Sequence, residues 1–121
     1  MHKNIWSSII ALFLLVSCQP TSEELFEAGI GALEKQDFDT AIEHLNRLVE
    51  NDTTHAPAWN ARGVIFFQTG KWDDAITSFS RSIELDENNY KPFFNRGNVY
   101  MEKEEYKNAL IDYNRANGLD F

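Results

Sequence analysis

The chain has 121 residues, 43% hydrophobic and 25% charged, enough for one small domain. Nineteen acidic residues against eleven basic give a formal charge of −8, a surface that repels phosphate backbones and argues against nucleic-acid binding. Cys18 is the one cysteine, so no disulfide can form within the chain, and any redox or thiolate-metal role would rest on a single residue.

The N-terminus carries Lys3 and then an apolar run from Ile9 to Val16. A membrane-spanning helix needs about 20 apolar residues. This run is shorter, and a charged start before a short apolar run reads as a secretory signal peptide. No later segment is apolar enough to span a membrane. The run ends Leu15-Val16-Ser17-Cys18, which resembles the lipobox of bacterial lipoproteins, where the cysteine is lipidated and becomes the mature first residue. Residues 1–17 are thus expected to be removed, and residues 18–21 to be the lipidated Cys18 with a short tether. Removing Lys3 leaves 10 basic against 19 acidic residues, a charge of −9. Stable anchoring takes more than one acyl chain, and the lipoprotein modification supplies at least two. The three tether residues after Cys18 reach on the order of 10 Å, so the domain is expected close to the membrane surface. Thr21 with Glu24 fits a capping box that starts a helix at once. The resemblance implies a bacterial cell-envelope location. In a double-membrane bacterium, Gln19 after the cysteine favours the outer over the inner membrane, with the membrane face left open.

Beyond the tether, Gly29, Gly63 and Gly97 recur every 34 residues, and Ala41, Ala75 and Ala109 follow each by 12. A period of this length marks a repeat array. Three copies align without gaps over residues 22–55, 56–89 and 90–121. Their fourth residues are Leu25, Trp59 and Phe93, and their eleventh Ala32, Phe66 and Tyr100. Their seventeenth are Phe38, Trp72 and Tyr106, and their twenty-fourth Leu45, Phe79 and Tyr113. The spacing follows the helical rhythm of three and four, with no period-two alternation. Each copy therefore reads as two short amphipathic helices. Glycine costs roughly 1 kcal/mol against alanine inside a helix. Its return at position 8, with alanine at position 20, predicts close approach of the two helices, the large residues filling the space around that contact.

The middle copy reads Trp59-x2-Arg62-Gly63-x2-Phe66, then Ala75-x3-Phe79. This is similar to the tetratricopeptide repeat, with Arg62 where that family prefers leucine. Phe94-Asn95-Arg96-Gly97 resembles a common variant of the family's first helix. The first copy has Leu25, Ala32 and Leu45 in place of aromatics, and the proline that often ends a repeat is replaced by Thr53, Glu87 and Phe121. The resemblance covers 100 of the 121 residues. It implies an all-α fold: three tandem helix-turn-helix repeats in a short right-handed α-solenoid. It also implies that positions 2, 5, 9, 12 and 13 of the first helices face a concave groove. The partner-binding candidates are Phe26, Ile30 and Leu33, then Asn60, Val64 and Phe67, then Lys91, Phe94, Asn98 and Met101. Glu23, Glu34, Pro57, Gln68 and Glu102 complete the face at its polar ends. Asn60 and Asn98 are suited to hold a peptide backbone. The subclass that grips a chaperone's C-terminal carboxylate uses a basic, asparagine-rich clamp. Lys91 matches one clamp position, but Phe26, Ile30, Ala61 and Asn95 occupy the others, so that subclass is rejected. An apolar groove with aromatic anchors favours an amphipathic helix or an extended apolar segment as partner.

Catalytic signatures are missing: no Gly-rich phosphate loop, nucleophile elbow or helical His-Glu-x-x-His. No catalytic residue, cofactor or metal site is assigned. Glu43-His44 and Asp52-x-x-His55 read as surface residues rather than metal ligands. Asp73-Asp74 and Glu104-Glu105 fall near helix starts, where carboxylates suit the helix dipole. At position 28 the first two copies carry Val49 and Ile83 but the third Asn117, followed by Gly118. Asn117-Gly118 reads as a helix stop on a self-capped last repeat. Tyr113, Leu119 and Phe121 are left to stay exposed and pair two molecules as a homodimer through the C-terminal repeat. The reading is a lipid-anchored adaptor or scaffold. The alternatives are a structural subunit docking by its convex or terminal surface, and a lipid or small-molecule carrier.

Overall fold

A computed structural model describes residues 18–120, so the expected signal peptide and Phe121 lie outside the described residues. Among these residues six helices follow one another: α1 (Ser22–Glu34), α2 (Phe38–Asn51), α3 (Ala56–Gln68), α4 (Trp72–Leu85), α5 (Tyr90–Glu102) and α6 (Tyr106–Asp120). Among the described residues there is no strand. The helices pair as α1 with α2, α3 with α4 and α5 with α6, and α2 then packs on α3 and α4 on α5. The first helices also touch in sequence, α1 on α3 and α3 on α5. The result is a short helical solenoid in which each repeat contacts its neighbours.

The repeated glycines fix the pairs. A Cβ on Gly29 would meet the Leu45 side chain at 2.8 Å, one on Gly63 the Phe79 ring at 2.4 Å, and one on Gly97 the Tyr113 ring at 2.7 Å. Position 8 is therefore glycine because the large residue at position 24 lies flat against it. Ala41, Ala75 and Ala109 are fully buried in the same seams.

All three turns within the repeats share one geometry. Position 15 takes a left-handed backbone in each: Gln36 (φ 59°), Gly70 (φ 77°) and Glu104 (φ 61°). The next amide returns to close the turn, Asp37 to the Ala32 carbonyl, Lys71 to Phe66 and Glu105 to Tyr100. Between repeats, aspartates stand in for the absent prolines. The Thr54 amide donates to Asp52 Oδ1 and the Asn88 amide to Asp86 Oδ1, each at 3.1 Å. These local turns reverse the chain as a proline would. The expected capping box is present: Glu24 N–H donates to Thr21 Oγ1 at 3.1 Å, and Thr21 N–H to Glu24 Oε2 at 2.9 Å.

Two expectations for the last repeat are corrected. Helix α6 runs through Asn117 and Gly118 to Asp120. Neither residue adopts the left-handed conformation that a glycine stop uses. Tyr113 is not an exposed terminal aromatic: it is half-buried over Gly97, and Leu119 is half-buried as well. The exposed apolar residues of α6 are instead Tyr106, Leu110 and Ile111, at 59, 60 and 65%. Tyr106 therefore does not fill its repeat as Phe38 and Trp72 do theirs.

Candidate functional site

The ten candidate groove residues fall on equivalent positions of α1, α3 and α5, and none of them is fully buried. In the first two repeats they form a half-buried floor. Phe26, Ile30 and Leu33 lean on the core around Leu25 and Leu45, while Val64 and Phe67 lean on the core around Ala75 and Phe79. In the third repeat the apolar residues stand clear of the floor: Phe94 is 48% exposed and Met101 44%. Lys91 is exposed at the start of α5, where its backbone amide donates to Asn89 Oδ1.

The two groove asparagines are committed to the domain itself. Asn60 Oδ1 accepts from Asn95 Nδ2 at 3.1 Å, which ties α3 to α5. Asn98 Oδ1 accepts from the Tyr113 hydroxyl at 2.7 Å. Each oxygen thus uses one of its two lone pairs inside the fold, which leaves the other lone pair and the NH2 group for a ligand.

Three side chains that border the groove were not among the candidates. The Tyr113 ring lies 5.7 Å from that of Phe94, His55 lies 5.0 Å from Phe26, and Trp72 lies 5.6 Å from Phe67. Each comes from a second helix or a turn, and each braces one aromatic of a first helix. Burial raises the Tyr113 hydroxyl above its ordinary pKa, so it stays a donor to Asn98. One sequence signal marked it: tyrosine at position 24 adds a hydroxyl that Leu45 and Phe79 lack.

The arginine at position 7 behaves differently in its two copies. Arg96 makes a two-pronged contact with Asp112, both bonds at 2.8 Å, and donates to Ser80 Oγ at 2.9 Å. That hydrogen bonding raises its pKa further, against the effect of burial. Arg62 stacks between Trp59 and Phe66, its guanidinium carbon 5.0 and 5.2 Å from the two rings. Ser78 occupies the place equivalent to Asp112, and Asn46 the place equivalent to Ser80. Arg62 Nε and Asn46 Oδ1 are both buried without a hydrogen-bond partner. Burial lowers the Arg62 pKa, opposed by Asp74 and Glu50.

At the N-terminal end, exposed Cys18 is followed by Gln19, whose Oε1 accepts from Arg47 Nη2 at 2.7 Å. The tether is thereby held against α2. No helix of the described residues is long and apolar enough to cross a membrane. Among them no three His, Cys, Asp or Glu side chains gather as metal ligands.

Paired helices with a solvent-exposed first-helix face define the class: an α-solenoid of helical repeats. Residues 63–104 match a TPR repeat model and residues 90–121 a tetratricopeptide repeat model. The chain carries tetratricopeptide repeats and folds as a tetratricopeptide repeat protein. Among solved structures, it is similar to the second TPR of Spaghetti (RPAP3) bound to the HSP90 peptide SRMEEVD. That match has 21% identity over 82% of this chain and 92% of the other, with a TM-score of 0.79. The Arabidopsis OM64 TPR domain matches at 22% identity over 82% of each chain, with a TM-score of 0.79. MamA matches at 20% identity over 83% of this chain and 58% of its own, with a TM-score of 0.79. At these identities the likeness is one of fold. No curated protein matches the sequence.

Proposed function

We propose that the chain is a lipid-anchored adaptor of the bacterial cell envelope that holds a partner protein in its concave groove. The observation that carries this reading is the row of Phe26, Ile30, Leu33, Val64, Phe67, Phe94 and Met101. These seven apolar side chains lie on one helix layer and all remain partly open to solvent. Water against such a surface is unfavourable by roughly 25 cal/mol per Å², so an apolar segment laid into the groove gains by displacing it. The Spaghetti domain, of the same fold, was solved with a peptide bound. Here Lys91 is the one cation among the ten groove candidates, so an anionic C-terminus finds little to grip. An amphipathic helix or extended apolar segment fits better, with Phe94 and Met101 as its anchors.

The membrane side of the proposal rests on the lipobox-like Leu15-Val16-Ser17-Cys18 and on the exposure of Cys18. The Gln19–Arg47 bond and the capping box leave little slack behind the anchor. The domain would therefore meet its partner with its N-terminal end toward the bilayer. Cys18→Ser should remove a covalent diacyl mass from the protein and shift it from the membrane to the soluble fraction. An unshifted distribution would contradict lipid anchoring.

The groove is tested by crosslinking and pull-down from membranes with the tagged protein beside Phe94→Glu. A partner held by the native protein and lost with Phe94→Glu supports the groove. A partner held equally by both moves the interface to the convex or terminal surface. Lipid in the purified protein, in place of any protein partner, would favour a carrier.

A further inference from the structure

Helix α6 exposes an apolar stripe that the rest of the array explains how to cover. Tyr106 and Leu110 stand where α2 carries Phe38 and Ile42, and where α4 carries Trp72 and Ile76. Those four are half-buried, because α3 lies over α2 and α5 over α4. The covering helices do so with small and branched residues: Ala58, Ala61 and Ile65 on α3, and Val99 on α5. On α6, Tyr106 and Leu110 are 59 and 60% exposed. Ile111, at 65%, adds a third apolar residue where the other repeats place Glu43 and Thr77. Three large apolar side chains on one exposed helix mark a docking surface rather than scattered surface residues.

Charge specifies the occupant further. The chain as a whole carries −8, yet the exposed charges on α6 are cations: Arg115, whose guanidinium lies 5.6 Å from the Phe93 ring of α5, and Lys107, which stands beside the apolar stripe. The one carboxylate among its described side chains, Asp112, is buried against Arg96. Just before the helix, Glu105 is drawn to Lys103 at 3.4 Å, and Glu104 is exposed in the turn.

A second copy stacked head to tail fails on this face. Its α1 would place Glu24 and Glu27 where Ala58 and Ala61 are buried. It would also set Lys35 against Lys107, where α5 and α4 pair Lys103 with Asp73 at 2.6 Å. Burying unpaired carboxylates is strongly unfavourable.

We infer that the outer face of α6 binds an acidic amphipathic helix from a partner protein. That helix presents small residues three apart and a branched residue four further on, as Ala58, Ala61 and Ile65 do, with a carboxylate toward Lys107. This surface is separate from the groove, so the inference stands or falls independently of the groove reading.

The test is a fluorescence-anisotropy titration of the full-length chain in mild detergent. The probe is a labelled, stapled peptide bearing alanine, alanine and isoleucine at that spacing, with glutamates elsewhere. The staple supplies the helicity that so short a peptide lacks. Binding should weaken about tenfold or more with Leu110→Glu and on raising salt from roughly 50 to 500 mM. It should weaken with Lys107→Glu and be unchanged by the groove variant Phe94→Glu. Three results would overturn the inference. One is no binding by the native chain. Another is equal binding by Leu110→Glu with an unchanged melting curve. The third is sedimentation showing that the chain alone dimerises through this face and that Leu110→Glu dissociates it.

Discussion

At position 15 the three turns share one left-handed backbone and differ in the residue that adopts it. Gly70 adopts the left-handed conformation without steric cost, while Gln36 and Glu104 adopt it with a Cβ in place. Left-handed geometry costs an ordinary residue roughly 1–2 kcal/mol, and glycine's extra freedom in the unfolded chain returns part of that. Gln36→Gly and Glu104→Gly should each raise stability by about 0.5–1 kcal/mol, and Gly70→Ala should lower it by a similar amount, read as midpoint shifts in urea. Gly63 behaves oppositely. Alanine there gains about 1 kcal/mol of helix propensity, but its Cβ would sit 2.4 Å from the Phe79 ring. Overpacking of this kind costs about 1–3 kcal/mol, and so severe an overlap lies at the upper end. Gly63→Ala should therefore destabilise by roughly 1–2 kcal/mol net, with partial rescue by Phe79→Leu. The glycine was legible in the sequence as a packing residue because it repeats. The turn strain was not, because glutamine and glutamate at position 15 give no sign of a left-handed backbone.

At the scale of helices, the caps and the arginine seams set the response to pH and mutation. Asp37 and Asp52 have pKa values lowered by hydrogen bonds from Thr40 and Thr54. A lowered carboxyl pKa contributes stability that is complete above its unfolded value and lost as pH falls through its folded one. Melting temperature should fall on acidification, and fall less in Asp37→Asn, whose amide oxygen can still cap α2 but carries no titrating carboxyl. An unchanged pH profile in that variant would show that Asp37 does not contribute.

The two arginines predict opposite outcomes. Asp112→Ala strips Arg96 of its charged partner in a seam where the carboxylate is 3% exposed. It should cost roughly 2–4 kcal/mol. Arg62→Leu removes a buried Nε that has no partner and restores the residue the family prefers, so it should be neutral or stabilising by about 1 kcal/mol. Helix identity and pairing were legible from the period. The Arg96–Asp112 bond was not, because its partners lie 16 residues apart on different helices and the same spacing in the second repeat joins Arg62 to Ser78.

Over the whole molecule, three pairs of helices present two exposed apolar surfaces of different origin. The first-helix face, where the groove is proposed, arises because equivalent positions of α1, α3 and α5 stay partly open to solvent in every repeat. The α6 stripe arises because, among the described residues, no further helix lies over it. The ten residues carried over from family positions fall on the first helices, and each is open to solvent to some degree. The sequence alone could not show that Asn60 and Asn98 each accept a hydrogen bond from inside the fold, nor that Tyr113 and His55 brace the first-helix aromatics. These depend on side-chain reach between helices, which a repeat alignment does not encode. Similarly, Tyr106 looks like core by position and stands exposed because no described residue covers it.

The most direct test of the central claim is site-specific photocrosslinking in native membranes. A photoreactive residue is placed in turn at Phe94 and Met101 in the groove, and at Glu43 and Thr77 on the exposed faces of the second helices. One discrete crosslinked partner is expected from both groove positions and none from the other two. The same partner crosslinked from Glu43 or Thr77, with nothing at Phe94 and Met101, would contradict the claim.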